Sequence, residues 1–205
     1  MIRLYRYPFS TNVERVALAL AHKGLAVESV EIDPKDRSEV RRVSGQDLVP
    51  VIEDDGRIVY DSMEIVRYLE ESYPESPLYP NHGARRAEVF VFVDWFNRVW
   101  KRPPNEIVAE MEKPAPDAAR IERLGRAMTE ALDIFEAMLI GREHLMSHEF
   151  SAVDLAVFPF VKYALLSDPA DTEPFHKVLV RYQPLGGAHP LVKDWIQRVD
   201  QRPRV

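Results

Sequence analysis

The first third of the chain carries a hydrophobic pattern that changes between strand and helix spacing. Apolar and polar residues alternate over residues 2–7 and again over 27–32, as in short strands. Between them, apolar residues recur at helical spacing from 13 to 21. Residues 49–52 and Arg57–Tyr60 predict two more strands, joined by an Asp-Gly hairpin signal.

Helix-capping residues stand where the predicted helices begin. Ser10, Thr11 and Asn12 precede the first helix, and Thr11 with Glu14 forms a capping-box pair. Asp61 and Glu64 form another pair before the last helix of this region. With a polar helix over about 35–43, the predicted order is β-α-β-α-β-β-α.

The rest of the chain has helical patterns and no evident strand. Prolines at 74, 77 and 80 predict a stiff connection, which places a first domain at 1–76, a linker at 77–82 and a second domain at 83–205. Helical periodicity follows over about 84–111, 117–139, 152–166 and 191–199. The fold class predicted is therefore α/β plus all-α.

Composition narrows the classes of function. Hydrophobic residues at 46% and charged residues at 29% are typical of a globular protein. A net charge of −6 without a basic stripe argues against nucleic acid as the partner. With no apolar run long enough for a membrane span and no leader pattern, we expect no membrane partner and a cytoplasmic location.

The sequence offers few candidate residues for metal binding or redox chemistry. The chain contains no cysteine, which argues against disulfides, a thiolate zinc site and chemistry on a protein thiol. His144 and His148 lie four residues apart, but no third ligand is organised by spacing. We expect no metal site.

Three segments carry a resemblance to a known family. They are VPVIEDDGRIVYDSMEIVRYLEESYPESPLYP at 49–80, FSAVDLAVFPF at 150–160 and HPLVKDWIQRVDQRP at 189–203. Together with the β-α-β-α-β-β-α order, they resemble the cytosolic glutathione transferases of serine type, similar to the zeta or theta groups or a bacterial relative. The resemblance implies an N-terminal thioredoxin-like domain followed by a C-terminal helical bundle domain.

The resemblance also implies a glutathione site. Pro50 matches a proline held in cis, which turns the backbone of Val49 toward the cysteinyl backbone of glutathione. Asp61 and Ser62 match an acidic-Ser pair, in which the hydroxyl and the helix N-terminal amides hold the γ-glutamyl carboxylate. The acid faces the ligand's ammonium group.

Ser10 is the candidate for thiol activation, with Thr11 as the second choice. Aligning Arg15-Val16 with the Arg-Val of the zeta-type SSCSxRV motif places these two residues on its serines and Asn12 on its cysteine. A hydroxyl donor at a helix N-terminus favours the thiolate.

Two alternatives bear on that assignment. Tyr5 or Tyr7, at the end of the first strand, matches the tyrosine role of other classes, although the offset to Arg15 disfavours it. Asn12, standing where several relatives carry a reactive cysteine, argues against disulfide exchange.

Asp47 departs from the family pattern. An Asn-Pro pair is common before Val-Pro, whereas this chain has Ser-Gly-Gln-Asp-Leu at 44–48. Because the glycyl carboxylate of glutathione docks in this neighbourhood, Asp47 would repel it unless it points to solvent. Arg41, Arg42 or Gln46 are candidate donors to that carboxylate.

Aromatic residues supply a candidate electrophile pocket. By resemblance, the first helix of the second domain lines it with one or two of Phe92, Trp95, Phe96 and Val99, and Phe9 is the candidate wall from the first domain. Ser151 and Asp154 form a capping box whose role is structural, with an expected effect of about 0.5–2 kcal/mol if the cap is lost.

The leading hypothesis is a homodimeric glutathione transferase that activates the glutathione thiol for attack on a small hydrophobic electrophile. Glutathione is then a co-substrate, and no other cofactor is expected. One alternative is a non-catalytic binding or regulatory protein of the same fold. Another is a maleylacetoacetate-type isomerase, which needs basic residues near the pocket; Arg98 is the candidate.

Overall fold

The computed structural model describes every residue from Met1 to Val205. The chain packs into two compact units: Met1–Pro80 together with Arg202–Val205, and Asn81–Gln201. None of the helices combines the length and the apolar character that crossing a membrane requires.

The first unit has the predicted order of strands and helices. Its elements are β1 (Ile2–Arg6), α1 (Thr11–His22), β2 (Val27–Glu31), α2 (Ser38–Ser44), β3 (Val51–Asp54), β4 (Arg57–Tyr60) and α3 (Ser62–Ser72). The sheet order is β2-β1-β3-β4, with β1 parallel to β2 and the other two pairs antiparallel. This mixed sheet with helices confirms the predicted thioredoxin-like domain.

Local chemistry explains the strand boundaries around the hairpin. β3 begins at Val51 rather than at 49, because Pro50 has no N–H to donate to a strand ladder. Asp54 pairs with Arg57, so Asp55 and Gly56 form a two-residue turn, with φ of 47° and 85°. Positive φ at both central residues matches the right-handed twist of the strands, as the Asp-Gly signal predicted.

The two central strands are buried on both faces. Neighbouring residues Leu4 and Tyr5 in β1, and Val51 and Ile52 in β3, are all fully enclosed. Successive side chains in a strand point to opposite faces, so helices must cover both sides of the sheet. The result is a layered domain with helices on both faces of the sheet.

A buried ion pair fixes the segment that follows α3. Lys23 Nζ donates to Glu70 Oε2 at 2.9 Å, and its side chain has no exposed area. It also donates to three backbone carbonyls, those of Tyr73, Glu75 and Ser76. Glu70 in turn accepts from the amides of Leu78 and Tyr79. Both buried charges are therefore fully hydrogen-bonded, as burial requires.

The second unit is entirely helical, as predicted. Its elements are α4 (Gly83–Trp95), a π-helical turn (Phe96–Trp100), α5 (Arg102–Met111), α6 (Ala118–Leu139), α7 (Ala152–Val161), a 3-10 turn (Lys162–Ala164), α8 (Pro174–Tyr182) and α9 (Pro190–Asp200). Within its core, the rings of Phe96 and Trp100 stack with centroids 4.5 Å apart.

Two features of this unit differ from the helical pattern of the sequence. The helix expected over 84–111 is α4, the π-helical turn and α5, because Pro103 and Pro104 suit only a first helical turn. The helix α8 was not predicted, since Pro174 indicated only a break. That proline instead opens the helix, a position where its missing N–H costs nothing.

Gly125 in α6 allows a close contact with Tyr182. A Cβ atom at this position would overlap the tyrosine ring, which is buried. We expect Gly125→Ala to destabilise the protein by about 1–2 kcal/mol in urea unfolding. The added Cβ would lie 2.2 Å from Tyr182 Cδ1, so the overpacking cost should reach the upper part of the usual range, about 2–3 kcal/mol, and exceed the roughly 1 kcal/mol gained in helix propensity. Gly83→Ala, with no atoms near its added Cβ, is the control and should not destabilise.

Candidate functional site

The N-terminus of α1 presents the candidate catalytic hydroxyl. Ser10 is the N-cap residue, and its Oγ accepts a hydrogen bond from the Val13 amide at 3.3 Å. Thr11, the first residue of the helix, is buried. Phe9 has a φ of 62°, an uncommon conformation for a residue with a side chain. The turn that leads into Ser10 is therefore strained.

The N-terminus of α3 is built in a similar way. Asp61 is its N-cap, and Oδ1 accepts hydrogen bonds from the Met63 and Glu64 amides at 2.9 and 3.2 Å. Its φ of 66° and ψ of 125° lie outside the usual regions for aspartate. Ser62, the next residue, is 4% exposed. Because strained residues cluster at binding sites, these positions support the site hypothesis.

Arg15 connects the two helix N-termini. Its guanidinium is buried, and Nη1 donates to Asn12 Oδ1 at 3.3 Å and to Ser62 Oγ at 3.2 Å. Burial lowers the pKa of Arg15 to about 9, while the charge of Asp61 acts in the opposite direction. The group stays cationic at neutral pH. One buried positive charge and two helix N-termini thus meet, an arrangement that favours an anion.

The peptide bond between Val49 and Pro50 is cis, which confirms that prediction. Val49 is 7% exposed and belongs to a buried cluster with Tyr5, Val40 and Val51. The residues proposed to hold the cysteinyl backbone are therefore part of the domain core.

The loop before Val49 accommodates Asp47 by pairing it. Asp47 Oδ1 accepts from Arg41 Nε at 2.7 Å, and this hydrogen bond is the main cause of the lowered pKa of Asp47. Gln46 Nε2 donates to Ser44 Oγ and to the Leu48 carbonyl. The charge of Asp47 is compensated, and two of the candidate donors, Arg41 and Gln46, are already engaged within the loop.

Arg37 is a residue that the sequence analysis did not single out. Its guanidinium lies 4.8 Å from the centroid of the Tyr7 ring, and Nη1 donates to the Asp47 carbonyl at 3.1 Å. A cation therefore lies beside the loop that leads to Val49. No sequence pattern near Arg37 predicts this position, because both contacts depend on how the end of β1 and that loop pack together in the folded domain.

Tyr5 in β1 and Tyr7, just after its end, both have other contacts. Tyr5 has no exposed area; its hydroxyl donates to Glu53 Oε2 at 3.1 Å and accepts from Arg3 Nη1 at 2.9 Å. The ring of Tyr7 supports Arg37. The geometry thus favours Ser10 over Tyr5 as the thiol activator.

The electrophile-pocket candidates belong to both units. Phe9, in the first, is 38% exposed. In the second, the rings of Phe92 and Trp95 make a tilted contact at 5.3 Å, whereas Phe96 has no exposed area. Trp95 also lines a cavity of about 260 Å³ in the second unit. No three histidine, aspartate or glutamate side chains come together as a metal site.

The chain matches two family models. The glutathione S-transferase N-terminal domain matches residues 4–77, and the glutathione S-transferase C-terminal domain matches residues 100–203. Glutathione S-transferase GstB of Escherichia coli strain K12 is 27% identical over 100% of this chain and 96% of its own. Glutathione S-transferase 3 of Zea mays is 27% identical over 98% of this chain and 90% of its own.

A solved structure agrees with these matches. A glutathione S-transferase from Rhodospirillum rubrum F11 has a TM-score of 0.74 and 29% identity, covering 99% of this chain and 89% of that one. The two models follow one another along the chain, and the similarity spans both units. The chain therefore belongs to the glutathione S-transferase family.

Proposed function

We propose that this protein is a glutathione transferase in which Ser10 stabilises the glutathione thiolate for attack on a small hydrophobic electrophile. The observation that carries the proposal is the buried Arg15, which hydrogen-bonds Ser62 at the start of α3 and Asn12 in the first turn of α1. The hydroxyl of Ser10 and the carboxylate-binding end of α3 therefore belong to one electropositive region.

The γ-glutamyl end of glutathione fits the start of α3. The hydroxyl of Ser62 accepts from Arg15, so its own proton remains to be donated to the ligand's carboxylate. Both capping bonds of Asp61 go to Oδ1, which leaves Oδ2 to attract the ammonium group. At the glycyl end, Arg37 is the candidate cation, since its Nη1 donates to the Asp47 carbonyl in the loop that leads to Val49.

Thiol activation follows from the cap of α1. Ser10 Oγ accepts from the Val13 amide, and its proton is available to the sulfur. A hydrogen bond to the thiolate, together with the positive end of the helix dipole, lowers the thiol pKa from its usual value near 8.5. The thiol proton leaves to solvent as the thiolate forms. The thiolate sulfur then forms a carbon–sulfur bond with the electrophile, the bond between that carbon and its leaving group breaks, and the leaving group departs with the electron pair.

The isomerase alternative is less well supported. Its candidate basic residue, Arg98, is exposed and paired with Asp94 at 2.6 Å on the same helical segment.

Phe9, Phe92 and Trp95 remain our proposed electrophile contacts, and the homodimer remains a prediction from the family.

Calorimetric titration with reduced glutathione tests the binding half of the proposal. Wild type should bind with micromolar-to-millimolar affinity, and Ser62→Ala should bind about 10- to 100-fold more weakly, since a hydrogen bond to a charged group contributes about 1.5–3 kcal/mol. Ser29→Ala, at an exposed serine in β2, is the matched control and should bind like wild type. A folded wild-type protein that binds no glutathione at several millimolar would reject the proposal and favour the non-catalytic alternative.

A further inference from the structure

The segment that precedes Val49 carries no net charge. From residue 33 to residue 48 it has four acidic side chains, and its four basic ones are Lys35, Arg37, Arg41 and Arg42. In the proposed function, the glycyl carboxylate of glutathione docks against this segment. Because opposite charges nearby offset each other in the field that a ligand meets, binding of that carboxylate depends on which cations are free to turn toward it.

Arg41 is held by an acid of the same segment. Its Nε donates to Asp47 Oδ1 at 2.7 Å, a distance typical of a charge-assisted hydrogen bond. The two side chains are 63% and 51% exposed, so a ligand in solution meets them as a pair. An acceptor on the same chain has a high effective concentration, and a glycyl carboxylate therefore gains little by displacing Asp47.

Gln46 closes on its own loop. Its Nε2 donates to Ser44 Oγ at 2.9 Å and to the Leu48 carbonyl at 2.8 Å, which uses both N–H groups of the side-chain amide. Its Oε1 accepts from the Leu48 backbone amide at 2.6 Å, so that donor is also taken. Neither the side chain of Gln46 nor the backbone amide of Leu48 is left to donate to a ligand's carboxylate.

Arg37 is the remaining cation beside this loop, and its charge is shared. Its Nε donates to the Pro34 carbonyl at 2.9 Å, and its Nη1 donates to the Asp47 carbonyl at 3.1 Å. The hydrogen bond from Arg41 is the main cause of the lowered pKa of Asp47, and the charge of Arg37 adds to it. A ligand carboxylate beside Arg37 would therefore also meet the carboxylate of Asp47.

The other two cations lie farther along the chain from Val49. Arg42 Nη2 lies 3.8 Å from Glu39 Oε1 within α2. Lys35 is exposed and precedes that helix. The segment thus holds its cations in pairs or away from the loop, and none is reserved for the glycyl carboxylate.

The γ-glutamyl end of the ligand meets a different environment. Ser62 Oγ accepts from the buried Arg15 at 3.2 Å, and both capping bonds of Asp61 go to one carboxylate oxygen. A buried cation, a hydroxyl proton and a spare carboxylate oxygen are therefore available to the ligand's carboxylate and ammonium groups. The charged contacts with the tripeptide are concentrated at this end.

We propose that the protein selects its thiol co-substrate by the γ-glutamyl end and accepts an uncharged glycyl end as readily as a charged one. Asp47 is the residue that sets this tolerance, because it occupies Arg41 and opposes Arg37. The inference rests on the proposed function and narrows its substrate class to γ-glutamyl-cysteinyl peptides, including those whose third residue ends in an amide.

Glutathione and its glycyl amide, which differ only in the charge of that end, are the probes for calorimetric titration. Wild type should bind both with Kd values within about twofold of each other, since an exposed charge contact contributes little. Asp47→Asn removes the opposing carboxylate and releases the charge of Arg41. It should therefore bind glutathione about threefold to tenfold more tightly than the amide.

Asp33→Asn is the control for this variant. Asp33 is an exposed acid of the same segment, and its carboxylate accepts from the Lys35 backbone amide. The substitution makes the same change in charge and should leave the ratio of the two Kd values at its wild-type level. N-acetylglutathione, whose ammonium group is blocked, should bind wild type about tenfold or more weakly than glutathione.

The outcomes separate this inference from the function on which it rests. If wild type bound glutathione about tenfold more tightly than the amide, or if Asp47→Asn left that ratio unchanged, the inference would be overturned and the transferase proposal would stand. Equal binding of N-acetylglutathione and glutathione would also overturn it. If neither glutathione nor its amide bound at several millimolar, both proposals would be rejected.

Discussion

Replacing Asp154 with alanine should lower the free energy of unfolding by about 3–5 kcal/mol, well above the loss of an ordinary helix cap. The carboxylate has no exposed area. It accepts from the Ser151 amide and hydroxyl at 3.0 and 3.1 Å, from the Leu145 amide at 3.2 Å and from Trp195 Nε1 at 2.8 Å. Alanine would leave these buried donors without an acceptor. Urea unfolding followed by circular dichroism measures the loss.

Asp117→Ala is the matched control for this variant. Asp117 caps α6 through one bond to the Arg120 amide at 3.0 Å, and that region is exposed. Its loss should cost about 1 kcal/mol, the usual value for an N-cap. If the two aspartate variants unfolded at the same urea concentration, the buried network around Asp154 would contribute nothing beyond an ordinary cap.

Replacing Ser10 with alanine should reduce kcat/KM for glutathione conjugation by about 10²–10³-fold, the usual effect of removing one hydrogen-bond donor from a developing anion. Glutathione affinity should change much less, because in our proposal the tripeptide is held mainly at α3 and Val49. The rate should also require higher pH, since the bound thiol returns toward its ordinary pKa near 8.5. Steady-state rates with a chlorodinitrobenzene acceptor, measured across pH, test all three expectations.

Thr11→Val and Tyr7→Phe serve as companions to the Ser10 variant. Each removes one hydroxyl from a residue that was considered for the same role. The Ser10 assignment predicts that Tyr7→Phe keeps nearly the full rate and an unchanged pH profile. A large loss in either companion, with Ser10→Ala still active, would move the thiol-activating role to that residue.

The fold was predictable because most of its signals are local. The Asp-Gly turn, the caps at Ser10, Asp61 and Ser151, and the spacing of apolar residues each act within a few positions along the chain. These signals suffice for the order of strands and helices. The local signals did not suffice around proline, because proline can either end a helix or stand in its first turn. For that reason the sequence did not predict α8, and it predicted one helix over 84–111 where the structure has separate helical segments.

Within the candidate site, the sequence supplied individual residues but not their connections. Ser10, Asp61 and Ser62 were identified from the family motifs and from caps. Arg15 was only a marker for alignment, and the structure makes it the buried cation between α1 and α3. Asp47, which conflicted with the family pattern, is neutralised by Arg41 six residues away. That pairing depends on the shape of the loop, which residue types alone do not specify.

The sequence by itself thus determined the two-part architecture, the helix caps and the membership of the glutathione S-transferase family. Only the tertiary structure decided which partners its buried charged groups meet: Arg15 meets Ser62, 47 positions away, and Asp154 meets Trp195, 41 positions away. The physical reason is the separation along the chain over which each kind of interaction acts. Turns, caps and periodicity depend on neighbours along the chain, whereas a buried charge is stabilised by partners that only the packed core brings within hydrogen-bonding distance.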